Sequence, residues 1–196
     1  MTCWTAIVPF KTAGERKTRL AERVALSTQM FAHVMHVLEG HPAIGTVVAL
    51  SDERPEDWDG AHIADEGRGL NAEIEAARTA LGETGLLVLH ADLPLLESAD
   101  IDALLEAAEA CGIAIAPDRH GSGTNGLALI PGRRIAFRFG TDSFHLHRQQ
   151  APEAAVVERR GFAIDLDTPD DLAAVLEAGS ERLVDQYRCR PIPEGG

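Results

Sequence analysis

The chain has 196 residues, 45% of them hydrophobic and 25% charged, with a formal net charge of -13. That length fits one domain, and chains of this size bury about 70% of their unfolded surface. So acidic a chain is repelled at long range by nucleic acid and by anionic lipid, which argues against either as a partner. An anionic small molecule can still bind where local cations override the global field.

Cys3, Cys111 and Cys189 are far apart and show no CxxC spacing, so neither a disulfide framework nor a zinc site is expected. Free thiols fit a reducing cytoplasm. The N-terminal "MTCWTAIVPF" lacks a basic region followed by a long apolar stretch, so no signal peptide is read. The apolar run "GLLVLHADLPLL" is broken by His90, Asp92 and Pro94 and falls short of the roughly 20 residues a membrane helix needs.

In chain order, residues 4–10 predict a strand. Residues 26–40 predict a helix, with Met30, Val34, Val37 and Leu38 at helical spacing and Gly40 at its end. A strand follows over 45–50, a polar loop over 51–60, and a helix over 70–82. Residues 85–92 form a continuous apolar run, the pattern of a central strand covered on both faces. Residues 99–112 predict a helix with Ser98 as N-cap, and 113–118 and 125–131 two more strands. Region 132–150 is mixed, with a short helix in "SFHLHRQQA". Residues 161–168 predict a last strand. It leads into a helix capped by Thr168, with Pro169 in the first turn and Asp170 and Asp171 at the positive end of the dipole. The core is expected over about residues 4–178, followed by a frayed tail.

Repeated alternation of strand and helix argues an α/β fold with a largely parallel sheet. Ligands of such sheets bind beyond the carboxyl ends of the strands. Beyond the first strand lies "PFKTAGERKTRLAER". It holds both of the chain's lysines, Lys11 and Lys17, together with Arg16, Arg19 and Arg23. Lysine meets phosphate as a mobile point charge and arginine as a planar fork. Neither a Walker loop nor GxGxxG is present, and taken alone such a run reads more readily as a solvated basic face than as a site.

The central strand ends in "LHADLPLL", where a carboxylate at a buried strand tip requires solvent, a partner or a metal, or serves as a turn cap. The last strand ends in "AIDLDTPDDL". Asp165 and Asp167, two residues apart, point to one side of an extended chain. Two carboxylates so placed suit a hard cation whose other positions go to water and substrate phosphate; the plain alternative is that Asp167 caps the following helix. "HGSGTNG" and "RFGTDSFHLH" are glycine-and-hydroxyl turns able to present N–H groups to an oxyanion, with Ser143 opening the short helix. Either is also compatible with an ordinary turn. "DEGRGLN" puts Gly67, Gly69 and Asn71 ahead of a helix. His145 and His147 form a bare HxH with no third soft ligand nearby, too little to argue a metal site.

Taken together, "VPFK…RKTRLA", "DEGRGLN", "ADLPLL", "APDRHGSGTN", "FGTDSF…H" and "DLDTPDDL", in this order over about residues 5–176, resemble the phospholactate guanylyltransferase family of coenzyme F420 biosynthesis. The resemblance implies a three-layer nucleotide-diphospho-sugar transferase fold, Rossmann-like, with a mostly parallel mixed sheet. It implies transfer of GMP from GTP to 2-phospho-L-lactate, phosphoenolpyruvate or 3-phospho-D-glycerate, with release of pyrophosphate. The product would be handed to a transferase acting on the deazaflavin precursor. By the same resemblance Asp92, Asp165 and Asp167 hold Mg2+; Thr124, Asn125, Gly140 and Ser143 hold the phosphoacid; Lys11, Lys17 and Arg19 contact the GTP phosphates, and Gly69 and Asn71 lie at the nucleotide. Lys11, Lys17 and Asp92 would carry the catalysis. The loop "KTAGERKTR" departs from the family's lysine–proline pattern, which leaves its individual contacts open.

Two other readings compete. A molybdenum-cofactor guanylyltransferase of the same fold carries a GGxS-type first loop, whereas this loop has only Gly14. A catalytically inactive nucleotide-binding partner protein would have eroded carboxylates or loop cations, whereas Asp92, Asp165, Asp167, Lys11 and Lys17 are all present.

Overall fold

The computed structural model describes residues 2–11 and 19–164, the side chains of 19–25 excepted. A seven-stranded sheet runs in the order β3-β2-β1-β4-β6-β5-β7. Its strands are β1 (Trp4–Pro9), β2 (Ile44–Ser51), β3 (Ala61–Ala64), β4 (Gly85–Leu89), β5 (Ile113–Pro117), β6 (Thr124–Leu129) and β7 (Ala155–Val156). All neighbours pair parallel except β6, which runs antiparallel to both β4 and β5.

Side chains alternate across this sheet with period two, and both faces are covered. Ala6, Val8, Ala49, Leu87, Leu89, Ala114, Ala116 and Ala128 point to one core. There they meet Phe31, Val34, Met35 and Leu38 of α1 (Arg19–Glu39), Ile101, Leu104, Leu105 and Ala108 of α3 (Ser98–Cys111), and Phe162 of α5 (Arg160–Ala163). Ile7, Leu50, Leu86, Val88, Ile113, Ile115, Leu127 and Leu129 point to the other. That core is closed by Ile74 and Ala77 of α2 (Leu70–Leu81), by Phe137 and Phe139, and by Phe144 of α4 (Ser143–Gln150). Small residues on the first face let α3 lie close. A Cβ at Gly126 would stand 3.1 Å from side-chain carbons of Leu104 and Leu89.

The expected three-layer arrangement and mixed, mostly parallel sheet are both present, and β4 is the buried central strand. Four local expectations need correction. Helix α3 is capped by Glu97, not Ser98. Glu97 and Asp100 form a reciprocal capping box, leaving Ser98 as the first helical residue. Residues 160–163 make one helical turn instead of starting a strand, because Ala163 and Phe162 donate their N–H groups back to Arg159. β3 and β7 are short strands that no apolar alternation announced. Helix α1 begins seven residues earlier than its apolar spacing suggests. The predicted strand beyond residue 164, the Thr168 cap and the tail lie outside the described residues. No described helix is long and apolar enough to cross a membrane.

Candidate active site

Parallel β1, β2, β3 and β4 end at one edge of the sheet. Because β6 is antiparallel, its first residues, Thr124 and Asn125, stand at that same edge. The His90 N–H donates to the Asn125 carbonyl at 3.1 Å and so joins the end of β4 to the start of β6. Over the ends of β1 and β4 opens a cleft of about 390 Å³. This is within the roughly 300–1,000 Å³ of small-molecule sites. Lys11, Asp92, His90, Ser27, Asp65 and Glu73 supply its polar lining.

Lys11 is held at the cleft by the residue before it. The Phe10 N–H extends the ladder to the Leu50 carbonyl at 2.8 Å, and its ring stacks on Phe31 at 4.4 Å. Asp92 faces the cleft because its neighbours are anchored inward. Leu93 and Leu96 are buried in the core, and the Leu96 N–H closes a turn on Leu93. A cation and a carboxylate 81 positions apart in sequence thus line one cavity, as the strand-end rule anticipates.

The α2 end of the cleft is organised by Glu73, a residue for which the sequence offered only a weak hint, an acid in a helix's first turn. Its carboxylate accepts from the N–H groups of Glu66 and Arg68 and from Nε and Nη2 of Arg68, at 2.8–3.1 Å. The Arg68 guanidinium, despite opposition from burial, holds the Glu73 carboxyl down at about 2. Gly69 caps the helix at φ 93°, ψ 148°, a conformation essentially restricted to glycine. The Asn71 amide, expected at the nucleotide, does not hang free. It donates to the Phe139 carbonyl at 3.0 Å and accepts from the Phe139 N–H at 2.7 Å.

The residues expected to seat the phosphoacid do not line this cleft but stand at the same edge of the sheet. Gly140, at φ 118°, turns the chain so that Asp142 and Ser143 open α4. Two leading N–H groups of that helix are already engaged, Ser143 with the Gly140 carbonyl and Phe144 with that of Ser122. Thr124, Asn125 and Ser143 are almost wholly buried. The Asn125 amide donates to the Phe162 carbonyl at 2.8 Å. The Phe139 ring contacts both His90 of the cleft lining and His147 of α4, with centroids 5.7 and 5.1 Å away.

The "HGSGTNG" loop does gather N–H groups around an oxyanion, but the oxyanion is its own. The Asp118 carboxylate accepts from the N–H groups of His120 and Ser122 and from the Ser122 hydroxyl. Burial pushes this carboxyl up, and the Ser122 and Gly123 backbone bonds with the Ser122 hydroxyl outweigh it, leaving it below its ordinary range. The HxH pair is split by the helix: His145 is exposed and His147 is buried with both ring nitrogens bonded. Lys17, the side chain of Arg19, Asp165 and Asp167 lie outside the described residues. No cluster of three potential metal ligands occurs among the described residues.

Solved structures share this architecture. One described as a nucleotide-diphospho-sugar transferase from Desulfovibrio desulfuricans G20 superposes with a TM-score of 0.70 at 14% identity, covering 95% of this chain and 97% of its own. A 4-diphosphocytidyl-2C-methyl-D-erythritol synthase superposes at 0.55 and 17% identity, over 89% and 97%. At such identities the likeness speaks for the fold alone. Sequence relatives are much nearer. A phosphoenolpyruvate guanylyltransferase from Rubrobacter xylanophilus is 38% identical over 94% of this chain and 97% of its own. A 2-phospho-L-lactate guanylyltransferase from Methanopyrus kandleri is 34% identical over 85% and 87%. The family model for CofC-like guanylyl transferases matches residues 4–190, nearly the whole chain. With its fold, its strand-end cleft and this match in agreement, the chain belongs to the CofC-like guanylyl transferase family.

Proposed function

We propose that the chain transfers GMP from GTP to a small phosphorylated carboxylic acid and releases pyrophosphate, supplying the activated phosphoacid for coenzyme F420 assembly. The acids to consider are phosphoenolpyruvate, 2-phospho-L-lactate and 3-phospho-D-glycerate, with phosphoenolpyruvate first. Relatives bearing that name from Rubrobacter xylanophilus and Sphaerobacter thermophilus are 38% and 36% identical. The observation that carries the reading is the meeting of Lys11 and Asp92 in one cleft at the strand ends of a chain of this family.

In this reaction a phosphate oxygen of the acid attacks the α-phosphorus of GTP. A new P–O bond forms, the bond from the α-phosphorus to the bridging oxygen of the β-phosphate breaks, and pyrophosphate departs with that electron pair. The attacking oxygen is already ionised at neutral pH, since the second phosphate pKa is about 6. The reaction therefore needs no general base. The work left to the protein is to bring two polyanions together. Lys11, with Lys17 and Arg19, would hold the GTP phosphates, Gly69 and Asn71 would border the nucleotide, and Thr124, Asn125, Gly140 and Ser143 would seat the acid.

Asp92, an oxygen donor opening on the cleft, fits a hard cation, and with Asp165 and Asp167 it would hold Mg2+. Such an ion supplies charge neutralisation on the phosphates. The product would pass to a phosphoacid transferase. The test is a pyrophosphate-release assay with GTP and each acid in turn, then with ATP or CTP in place of GTP. Turnover is expected with GTP and at least one acid, phosphoenolpyruvate foremost. A folded protein that releases no pyrophosphate with any of the three overturns the reading.

A further inference from the structure

His147 belongs to none of the roles above, yet it stands at the centre of the proposed phosphoacid half. It is fully buried in α4. Its Nε2 lies 3.0 Å from the backbone nitrogen of Arg138, and its Nδ1 3.0 Å from Oγ1 of Thr124. A backbone N–H only donates, so Nε2 is the bare nitrogen. Burial lowers the imidazolium pKa to about 4, so the ring is neutral at physiological pH. A neutral ring with a bare Nε2 carries its proton on Nδ1, and that proton is donated to the Thr124 hydroxyl. A flipped ring would set carbon against the Arg138 N–H and leave a buried donor unsatisfied.

These two bonds join two different walls. Thr124 opens β6 at the sheet edge. Arg138 precedes Phe139, which Asn71 clasps, and then the Gly140 turn. The edge contact of Phe139 on the imidazole, at 71° between planes, fixes the ring's tilt as well. We infer that His147 is a positioning residue: locked as the Nδ1–H tautomer, it spans the acid site and sets the separation between Thr124 and the Gly140–Ser143 turn. The inference rests on the reading of those residues as the seat of the phosphoacid. A merely structural histidine would affect stability and both substrates alike. A strut across one subsite affects the acid selectively.

The two bonds can be removed one at a time. In His147→Gln the longer side chain puts its amide near the Nε2 position, keeping an acceptor for Arg138 and losing Thr124. In His147→Asn the amide lies near Nδ1, keeping a donor for Thr124 and losing Arg138. Each is expected to raise KM for the phosphoacid about tenfold or more, as the loss of one buried hydrogen bond allows, while KM for GTP moves by less than about twofold. Thr124→Val should do the same. Adding His147→Gln to it should change nothing further, because both delete one bond. Equal rises in both KM values, or full additivity of the pair, would overturn the inference.

A readout independent of turnover is the nitrogen NMR spectrum of the His147 ring in the wild-type protein at neutral pH. A proton on Nδ1 is expected. A proton on Nε2 overturns the strut even in a fully active enzyme. Wild-type protein that turns over none of the acids overturns the proposed function and with it the role toward the acid, and the ring spectrum tells that failure apart from a wrong strut.

Discussion

Asn71, in the first turn of α2, and Phe139, 68 residues later, exchange a pair of hydrogen bonds at 3.0 and 2.7 Å. One small amide therefore fixes the α2 end of the cleft to the strand of chain that enters the Gly140 turn. Truncation as Asn71→Ala leaves a buried N–H and carbonyl without their partner and should cost about 1–3 kcal/mol. Asn71→Asp should cost more, since it sets a carboxylate oxygen against the Phe139 carbonyl. Urea unfolding of the three proteins checks the order. Equal stabilities would mean that water replaces the clasp without loss.

The cleft makes a second prediction. Lys11 and Asp92 contribute charge and little core, because the surrounding packing is supplied by Phe10, Leu93 and Leu96. Lys11→Ala should raise KM for GTP, while Asp92→Asn should lower kcat on the order of 10²–10³, the scale seen when a charge-stabilising group is lost. Both variants should melt within a few degrees of the wild type. Unchanged turnover in Asp92→Asn would remove that carboxylate from the reaction.

Stability should fall towards acid in two stages. His147 has its folded pKa lowered to about 4 from 6.5, so the unfolded chain takes up a proton that the folded one refuses. Its contribution is complete above pH 6.5 and is lost as pH falls from there towards 4. The scale of about 1.4 kcal/mol per pH unit puts the loss at roughly 3 kcal/mol. Glu73, held at about 2 against an ordinary 4.5, adds a later loss between pH 4.5 and 2, as its pairing with Arg68 is protonated away. Urea midpoints measured from pH 7 to 3 should show both stages. His147→Gln should shrink the first to the share of His33, whose imidazolium is also disfavoured by burial, and Glu73→Gln should flatten the second. A wild-type midpoint constant from pH 7 to 5 would mean that the ring titrates normally.

The sheet was legible because its central strands are continuous apolar runs and its helices repeat every three to four residues. β3, with two exposed and two half-buried residues, and β7, with one of each, carry no such signal. α5 misled because "GFAI" has the composition of a strand, while its conformation is set by bonds to Arg159 and by packing on α3. Asp92 and Lys11 were found together because parallel strands end on one edge, a rule that needs no side-chain detail. The roles of Asn71 and His147 were not legible. They depend on the Phe139 backbone 68 residues away and on Thr124 23 residues away, and no local pattern encodes either contact. The glycine-rich turn was read as able to cradle an oxyanion or as an ordinary turn, and the sequence could not say that Asp118 of the same loop takes up its N–H groups.

The support behind Asn125 yields the last prediction. Asp100 in the first turn of α3 is buried. One of its oxygens accepts from the Glu97 N–H at 2.9 Å, and the other from Arg159 Nε at 2.7 Å. That pair fixes α5, whose Phe162 carbonyl receives the Asn125 amide and whose Ala163 carbonyl receives the Arg119 N–H at 2.7 Å. Gly161 packs directly on the Asp100 carboxylate, so that a Cβ there would collide with its Oδ2 and come within 3.0 Å of the Leu95 carbonyl. Gly161→Ala must therefore push Asp100 away from Arg159 or displace α5. Either outcome should cost about 1–3 kcal/mol through overpacking, with the strained salt link adding to it. Because α5 carries the carbonyl that holds Asn125, this remote methyl group should also raise KM for the phosphoacid. Asp100→Asn retains an acceptor for the Glu97 N–H and leaves Gly161 room, so it should be the milder change. Thermal melts and acid-dependent kinetics of the two variants check the ranking, and a Gly161→Ala protein as stable and as active as the wild type would show that α5 moves without consequence for Asn125.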